Sequence, residues 1–339
     1  MIAKDDFYMR VLAGDIGGTK TLLQIAECKG ARCRAVREQR FDSASYNSFS
    51  SIVEQFLREE KIKSIKAACF GIAGPIQETS QGQSVKVTNL PWEIHGPELK
   101  RRFKIPRLRL INDFQAIGYG IEALKKKDLV MLQKGRLVKQ GPRVVLGAGT
   151  GLGQGILVWD KDHYAPVATE GGHANFAPSN EIQVDLAKYL LKVAGRTSWE
   201  LVLSGHGLVQ LYSFLKTRGV APESAEVEAA MHGDDPAAAI THAAMTKNDA
   251  LANQALDLFV DIYGAQAGNL ALTAGGRGGV YIAGGIAPKI LSRLTDGRFM
   301  QAFLNKGKMK NYVSAIPVQV VINAKVGLAG AVLAAARLK

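Results

Sequence analysis

The sequence contains few cysteines and no long apolar segment, and each absence excludes a class of protein. Only Cys28, Cys33 and Cys69 occur among the 339 residues, and none of them forms a C-x-x-C pair. We therefore expect neither a disulfide framework nor a zinc site. Residues 1–10 contain acidic residues but no apolar run, which argues against a signal peptide, and no segment reaches membrane-spanning length. A cytoplasmic location without a membrane partner is the expectation.

Acidic residues are also scarce relative to basic ones. The chain has 43 Lys and Arg against 30 Asp and Glu, a net charge of +13, and 13 of the basic residues lie between Lys100 and Arg143. Such an excess favours anionic partners. No nucleic-acid-reading module accompanies the basic run 100–104, so nucleic acid is not an expected partner. We interpret the region as a solvated surface that favours anionic metabolites, with a polyanion site as the alternative.

Glycine, in contrast, is abundant, and the first glycine-rich turn lies near the start of the chain. Within residues 11–26, apolar residues on both sides of Gly17 and Gly18 predict two strands joined by a turn. Glycine permits positive φ angles and lets backbone N–H groups approach an anion closely, and Thr19 adds a hydroxyl. Asp15 would face the metal ion that accompanies nucleotide phosphates. The pattern predicts a turn that holds phosphate.

A second turn of the same kind follows about 130 residues later. Residues 144–158 again predict strand, turn and strand, with Gly149, Thr150 and Gly151 in the turn. Gly284 and Gly285 then end a third apolar strand. Repeated turns of this type indicate two related α/β halves that contribute to one cleft. The alternative is a pair of ordinary glycine-rich hairpins.

Two familiar nucleotide-binding motifs do not fit these turns. A P-loop requires Gly-Lys-Ser/Thr, whereas Lys20 follows Thr19 and so lies one position late. A dinucleotide-binding fingerprint opens a helix, whereas the second turn leads directly back into a strand. The sequence therefore argues against a P-loop enzyme and against a Rossmann dehydrogenase.

Polar residues suited to chemistry follow two of the predicted strands. Asp113 comes after Asn112 at a strand end, where a carboxylate can accept a proton, although an N-cap for the next helix is an equal alternative. Glu170 and His173 share a tight Gly-Gly loop, and their acceptor and imidazole suit neighbouring hydroxyl groups of one small ligand. For His173 alone, a structural or surface role is the stronger alternative, and metal binding is the weaker functional one.

Seven ordered motifs together resemble the bacterial-type glucokinase family, within the sugar-kinase, hexokinase and actin-like ATPase fold. They extend over nearly the whole chain. The motifs are Gly14–Thr19, Thr88–Trp92, Ile111–Phe114, Gly147–Gly153, Glu170–Pro178, Glu200–Gly205 and Ile282–Ile286.

The resemblance implies a fold, a reaction and a set of roles. The fold is α/β, a two-domain actin-like ATPase (ribonuclease H-like) fold with duplicated mixed-sheet halves and a cleft between them. The small domain would comprise residues 1–113 joined by the C-terminal helix 324–339, and the large domain residues 114–323.

The implied reaction is ATP-dependent phosphorylation of glucose at its 6-hydroxyl, with Asp113 as general base and with Mg²⁺ carried by ATP. The implied glucose-binding residues are Asn89, Asn112, Glu170, His173 and Glu200. The implied nucleotide-binding residues are Asp15, Gly17, Gly18, Thr19, Gly149, Thr150, Gly151, Gly284 and Gly285.

One residue departs from the family pattern, and several functions stay open. Many glucokinases carry asparagine where this chain has Lys20. The alternative functions are a kinase for another hexose, a kinase that uses polyphosphate, and a sugar sensor without activity on the same fold. A sugar-sensing regulator of the related kind would carry a DNA-reading domain ahead of the first strand. Only ten residues precede Val11, which argues against the regulator. The expected partners are glucose and ATP, with a homodimer left open.

Overall fold

The structure, a computed structural model, describes residues 8–58 and 64–338. The signal-peptide prediction falls on residues 1–10, of which 1–7 lie outside the described part. The strands and helices follow one another in this order: β1 (Met9–Ile16), β2 (Lys20–Lys29), β3 (Arg32–Asp42), α1 (Phe49–Arg58), β4 (Ala67–Ile72), β5 (Gln77–Thr79), β6 (Gly82–Lys86), β7 (Glu93–His95), α2 (Gly96–Arg102), β8 (Arg107–Asn112), α3 (Asp113–Gly120), β9 (Leu129–Gln133), β10 (Arg143–Ala148), β11 (Leu152–Asp160), β12 (His163–Ala168), α4 (Glu181–Ala194), α5 (Gly205–Thr217), α6 (Ala225–Ala230), α7 (Pro236–His242), α8 (Ala250–Thr273), β13 (Val280–Ala283), α9 (Leu291–Thr295), α10 (Arg298–Leu304), α11 (Lys310–Ser314), β14 (Val318–Val321) and α12 (Val326–Ala336).

The chain divides into two compact units. The first contains the residues up to Lys125, the short segment Tyr164–Ala168 and the residues from Asn323 onward. The second contains Lys126–His163 and Thr169–Ile322. The sequence places a domain boundary after Asp113, whereas the first unit continues to Lys125. The domain limits drawn from the sequence remain a prediction.

The first unit is built on a mixed five-stranded sheet with the order β3-β2-β1-β4-β8. Strands β1, β4 and β8 run parallel, and Ile16, Ile72 and Asn112 lie side by side at their carboxyl ends. Helices α3 and α12 pack against one face, where the would-be Cβ of Gly330 lies only 1.7 Å from the carbonyl oxygen of Ala116. This close approach brings the C-terminal helix into the first unit.

The second unit repeats the same connectivity. Its sheet contains the strand order β11-β10-β13-β14-β9, with β10, β13 and β14 parallel and β11 antiparallel to β10. An antiparallel hairpin followed by two parallel strands is thus common to both sheets, and the predicted duplication of mixed-sheet halves is confirmed. Helix α8 forms the centre of the core, with buried residues on every side. No helix of the described chain combines the length and the apolar character needed to cross a membrane.

The β2–β3 hairpin corrects the cysteine prediction. Cys28 and Cys33 lie directly opposite one another and form a disulfide with a Cα–Cα distance of 4.1 Å. The two-residue turn between the strands makes residues five apart in sequence into cross-strand neighbours, and this register was not part of the expectation. The third cysteine, Cys69, is buried and free.

Candidate active site

In the first unit, the Gly17–Gly18 turn closes the β1–β2 hairpin next to Asn89. The N–H of Gly17 donates to the carbonyl oxygen of Lys20 at 3.0 Å, so that this group is engaged within the turn. A Cβ on Gly18 would lie 3.2 Å from the Cβ of Asn89, which itself has a positive φ of 63°. Neither Gly17 nor Gly18 has a positive φ, so the turn does not use the left-handed backbone that glycine permits.

Asp15 lies at the end of β1, half-buried beneath the first turn of α12. A Cβ on Gly327 would come within 3.2 Å of its Oδ2, so the glycine lets the helix approach the carboxylate without a crowded contact. Burial raises the pKa of Asp15, and the nearby Lys20 ammonium partly offsets that rise. A cation placed here would therefore relieve an electrostatic cost.

Asn112 and Asp113 share the N-terminus of α3. Asn112 is the N-cap: its Oδ1 accepts the N–H of Phe114 at 2.8 Å, and Gln115 completes a capping box. Asp113 is the first helical residue, and its Oδ1 also accepts the Phe114 N–H at 2.8 Å. The capping role considered for Asp113 therefore belongs to Asn112. The positive end of the helix favours the negative charge of Asp113.

In the second unit, the Gly149–Gly151 turn is packed against Glu200. The N–H of Gly149 donates to the oxygen of Gly151 at 2.8 Å, and the N–H of Gly205 at the start of α5 donates to the oxygen of Gly149 at 2.8 Å. A Cβ on Gly151 would lie 2.6 Å from Oε2 of Glu200. As at the first turn, the glycines have no positive φ, and Gly151 serves close approach of a carboxylate.

Glu200 connects that turn to the loop that carries Glu170 and His173. Its Oε2 accepts the N–H of Leu152 at 2.9 Å, and its Oε1 lies 3.8 Å from Nδ1 of His173. Its own N–H donates to Gly172, whose would-be Cβ lies 2.2 Å from the oxygen of Leu152. Glu170 precedes the short helical turn of this loop and is exposed. The second unit thus brings Glu200, His173 and a glycine turn together.

Two buried residues that the sequence analysis did not identify support these loops. The hydroxyl of Tyr263 accepts the N–H of Ala148 at 3.1 Å and lies 3.3 Å from the carbonyl oxygen of Ala283, so it joins the ends of β10 and β13. Gln154 lies under Gly171, whose would-be Cβ is 2.9 Å from its Oε1. Both are polar residues inside apolar segments of the sequence. A polar residue in such a segment indicates a buried group that needs a hydrogen-bond partner, and this pattern could have identified them.

The third glycine pair, Gly284 and Gly285, follows β13. Gly284 has a positive φ of 84°, and a Cβ there would lie 2.4 Å from the oxygen of Ala148. A side chain on Gly285 would meet open space. Because β10 and β13 are parallel, this pair and the Gly149–Gly151 turn lie at the same edge of their sheet.

Comparison with known proteins shows the family of this chain. The family model described as Glucokinase matches residues 12–338. The chain belongs to the glucokinase family. A glucokinase of Nostoc punctiforme is 45% identical over 342 residues, which cover 97% of this chain and 99% of that protein. The family identity rests on nearly the full length of both sequences.

Solved glucokinase structures share the fold. A glucokinase from an Antarctic psychrotroph superposes with a TM-score of 0.85 at 30% identity, over 97% of this chain and 99% of that one. A Balamuthia mandrillaris glucokinase, solved in complex with glucose, gives a TM-score of 0.78 at 20% identity, over 99% of this chain and 95% of that one. The predicted actin-like ATPase fold of a glucokinase is confirmed.

The glucokinase residues expected from the sequence fall into two sets, one in each unit. The first unit holds Asp15, Gly17, Gly18, Thr19, Asn89, Asn112 and Asp113. The second unit holds Gly149, Thr150, Gly151, Glu170, His173, Glu200, Gly284 and Gly285. In the described ranges, 8–58 and 64–338, no three His, Cys, Asp or Glu side chains form a group that could hold a metal ion.

Proposed function

We propose that the chain transfers the terminal phosphoryl group of ATP to the 6-hydroxyl of glucose. Membership of the glucokinase family supports the reaction class. The observation that carries the mechanism is Asp113, a carboxylate at the carboxyl end of β8 and in the first turn of α3. The same proposal includes a cytoplasmic location.

Asp113 is the proposed general base. Since Asn112 caps α3, the Asp113 carboxylate is not required for capping, and its bond to the Phe114 N–H fixes its orientation. As the 6-hydroxyl attacks the terminal phosphorus, Asp113 accepts the hydroxyl proton. Gly71 on β4 allows this helix to lie close, because its would-be Cβ is 2.7 Å from Ala116.

Glu200 and His173 are proposed to recognise glucose hydroxyls, together with Glu170, Asn89 and Asn112. One oxygen of Glu200 is held by the Leu152 N–H, and the other lies beside the His173 ring. A sugar hydroxyl between such groups can donate to the carboxylate and accept from the imidazole. A hexose that lacks or inverts this hydroxyl leaves the pair without a partner, which disfavours its binding.

The nucleotide phosphates are proposed to bind at the two glycine turns. The N–H groups of Gly17 and Gly149 are engaged inside the turns, whereas those of Gly18, Thr19, Thr150 and Gly151 have no acceptor among the described residues. These four groups, with the Thr19 and Thr150 hydroxyls, are the phosphate donors that we propose.

Mg²⁺ is proposed to accompany ATP rather than to occupy a site made by the protein alone. The donor set fits this role, because Asp15 is a half-buried carboxylate whose pKa is raised by desolvation and which a cation would stabilise. Bound magnesium would neutralise phosphate charge. Asp15 would hold the hydrated magnesium ion in place by accepting hydrogen bonds from its water ligands.

The deciding experiment measures ADP release by the purified protein with Mg-ATP and a series of hexoses. We expect turnover with glucose, and we expect Asp113→Asn to lower kcat about 10²-fold to 10⁴-fold with little change in the KM for glucose. Asp234→Asn, an exposed carboxylate that belongs to neither residue set, is the matched control.

Three outcomes would count against the proposal. Turnover with another hexose but not with glucose would assign a different substrate. Turnover that requires polyphosphate in place of ATP would assign a different donor. Glucose binding without turnover in any combination would identify a sensor.

A further inference from the structure

A polar cavity of about 720 Å³ lies in the second unit, among α8, α10 and the start of α4. It shares no lining residue with the candidate active site. Its walls carry amides and charged groups, with Asn180 and Gln301 on two sides and Lys306 at the α8 wall. Its volume is in the range of sites that bind small metabolites.

Lys306 is held in this cavity by a hydrogen bond to α8 and by close packing against that helix. Its Nζ donates to the carbonyl oxygen of Ala265 at 2.9 Å, and a Cβ on Gly268 would lie 2.5 Å from its Cε. A side chain at residue 268 would therefore displace the lysine stem from its present position against the helix. Within residues 8–58 and 64–338, no carboxylate oxygen forms an ion pair with it. Burial accordingly lowers the pKa of Lys306.

The remaining charges of the cavity leave a positive surplus. Arg298 pairs with Asp257 at 3.2 Å and with Asp261 at 3.1 Å, so these groups are mutually compensated. Lys310, at the start of α11, lines the same cavity and has no carboxylate partner in the described part of the chain. Lys306 and Lys310 thus present two uncompensated ammonium groups to one polar space. An anion bound between them would gain charge-assisted hydrogen bonds.

We propose that this cavity binds a small phosphate monoester with a hydroxylated body, its phosphate on Lys306 and Lys310. A dianionic phosphate matches the two cations and accepts several hydrogen bonds. The amides of Asn180 and Gln301 suit hydroxyl groups, and the cavity exceeds what a phosphate ion alone would occupy. The site is independent of the catalytic proposal, since it uses none of the same residues.

The test is calorimetric titration of the full-length protein with glycerol 3-phosphate, without ATP or glucose. We expect saturable binding that Lys306→Met weakens roughly 10-fold to 100-fold, the loss of one charge-assisted hydrogen bond. Lys308→Met is the matched control, because Lys308 is exposed on the same turn but does not line the cavity. It should bind as the unaltered chain does.

Other outcomes separate the parts of the proposal. Equal affinity in Lys306→Met and Lys308→Met would place the ligand elsewhere, for instance at the glycine turns, and would overturn the proposal. Inorganic phosphate that binds as tightly as glycerol 3-phosphate would overturn the role of the hydroxylated body. Absence of saturable binding would overturn the site. If Lys306→Met fails to fold, Lys310→Met should weaken binding about 3-fold or more, and an unchanged affinity would refute the site.

Discussion

At the scale of single residues, the candidate site depends on glycines whose role is to admit a neighbour. The sequence predicts the glycine turns, where glycine would permit positive φ angles. In the structure, Asn89 instead approaches Gly18 closely and Glu200 approaches Gly151 closely. Among the glycines assigned to nucleotide binding (17, 18, 149, 151, 284 and 285), Gly284 alone combines a positive φ with a close contact. Which neighbour approaches a glycine depends on packing between distant segments, and no local pattern encodes it.

The Gly151 contact gives a prediction that separates sugar binding from nucleotide binding. Gly151→Ala should raise the KM for glucose about 10-fold or more, because the added methyl displaces the Glu200 carboxylate. Gly149→Ala, where the methyl meets open space, should leave that KM unchanged. Steady-state kinetics of both variants provide the check. Equal effects on glucose would show that Glu200 is not fixed by the turn.

The half-buried carboxylate of Asp15 predicts that the stability of the fold depends on pH. Since folding raises its pKa above the usual 3.8, ionised Asp15 destabilises the folded state at neutral pH, and the cost disappears once the group is protonated. Asp15→Asn should therefore raise the Tm at neutral pH, by an amount that shrinks as the pH falls toward about 4.

Glu27 supplies a comparison of opposite sign. Hydrogen bonds from Arg34 and then Arg10 lower its pKa below the usual 4.5, so it stabilises the fold above that value and loses its effect as the pH falls through the lowered pKa. Glu27→Gln should lower the Tm at neutral pH and converge with the unaltered chain in acid. Thermal melts across pH would contradict both assignments if each difference stayed constant.

At the scale of secondary-structure elements, the two glycine hairpins and the long helix α8 follow from patterning, since alternation and apolar periodicity are local. The apolar pattern of residues 250–272 predicts a long helix, and α8 spans Ala250–Thr273. The N-cap alternative considered for Asp113 lies one residue late. Asn112 caps α3, because its side chain and that of Gln115 form a capping box in the first turn. The disulfide was missed, since its pairing depends on the register of β2 against β3.

The disulfide predicts a redox-dependent stability of the hairpin. Titration of unreduced, denatured protein should find one free thiol, Cys69, and titration after reduction should find three. Because the closed loop is short, reduction should cost about 2 kcal/mol and lower the Tm by roughly 5 °C. Cys33→Ser should melt alike with and without reductant. Three free thiols in unreduced protein would contradict the bridge. In a reducing compartment the thiol form is expected.

At the scale of the whole molecule, the seven ordered motifs identify the family, and the repeated sheet connectivity agrees with it. Fold and family are recoverable because they are spread over many positions. The residues that support the loops cannot be predicted in this way. Tyr263, for example, contacts the backbone of both Ala148 and Ala283, which are more than a hundred residues apart in sequence. The cavity around Lys306 likewise arises from the packing of α10 on α8.

A substitution at Gly330 would show whether the first unit can lose stability while the second unit stays folded. Gly330→Ala places a methyl where the Ala116 oxygen lies and should cost about 3 kcal/mol or more. Hydrogen exchange with mass spectrometry should show lost protection in β1 and β4, with α8 and β13 little affected. Ala329→Ser, a half-buried neighbour, is the control. Uniform loss of protection in every segment would indicate a single cooperative unit.

The position of α12 has a consequence for how the chain matures during translation. The helix packs against residues near the start of the chain, and Arg107 donates to the carbonyl oxygen of Leu338 at 2.7 Å. The sheet of the first unit leaves the ribosome first. It therefore lacks one layer of its core until α12 has emerged. Whereas the second unit can complete its core earlier, the first must wait with apolar residues such as Val11 and Ala13 uncovered. Nascent chains should thus depend most on chaperones until α12 has emerged.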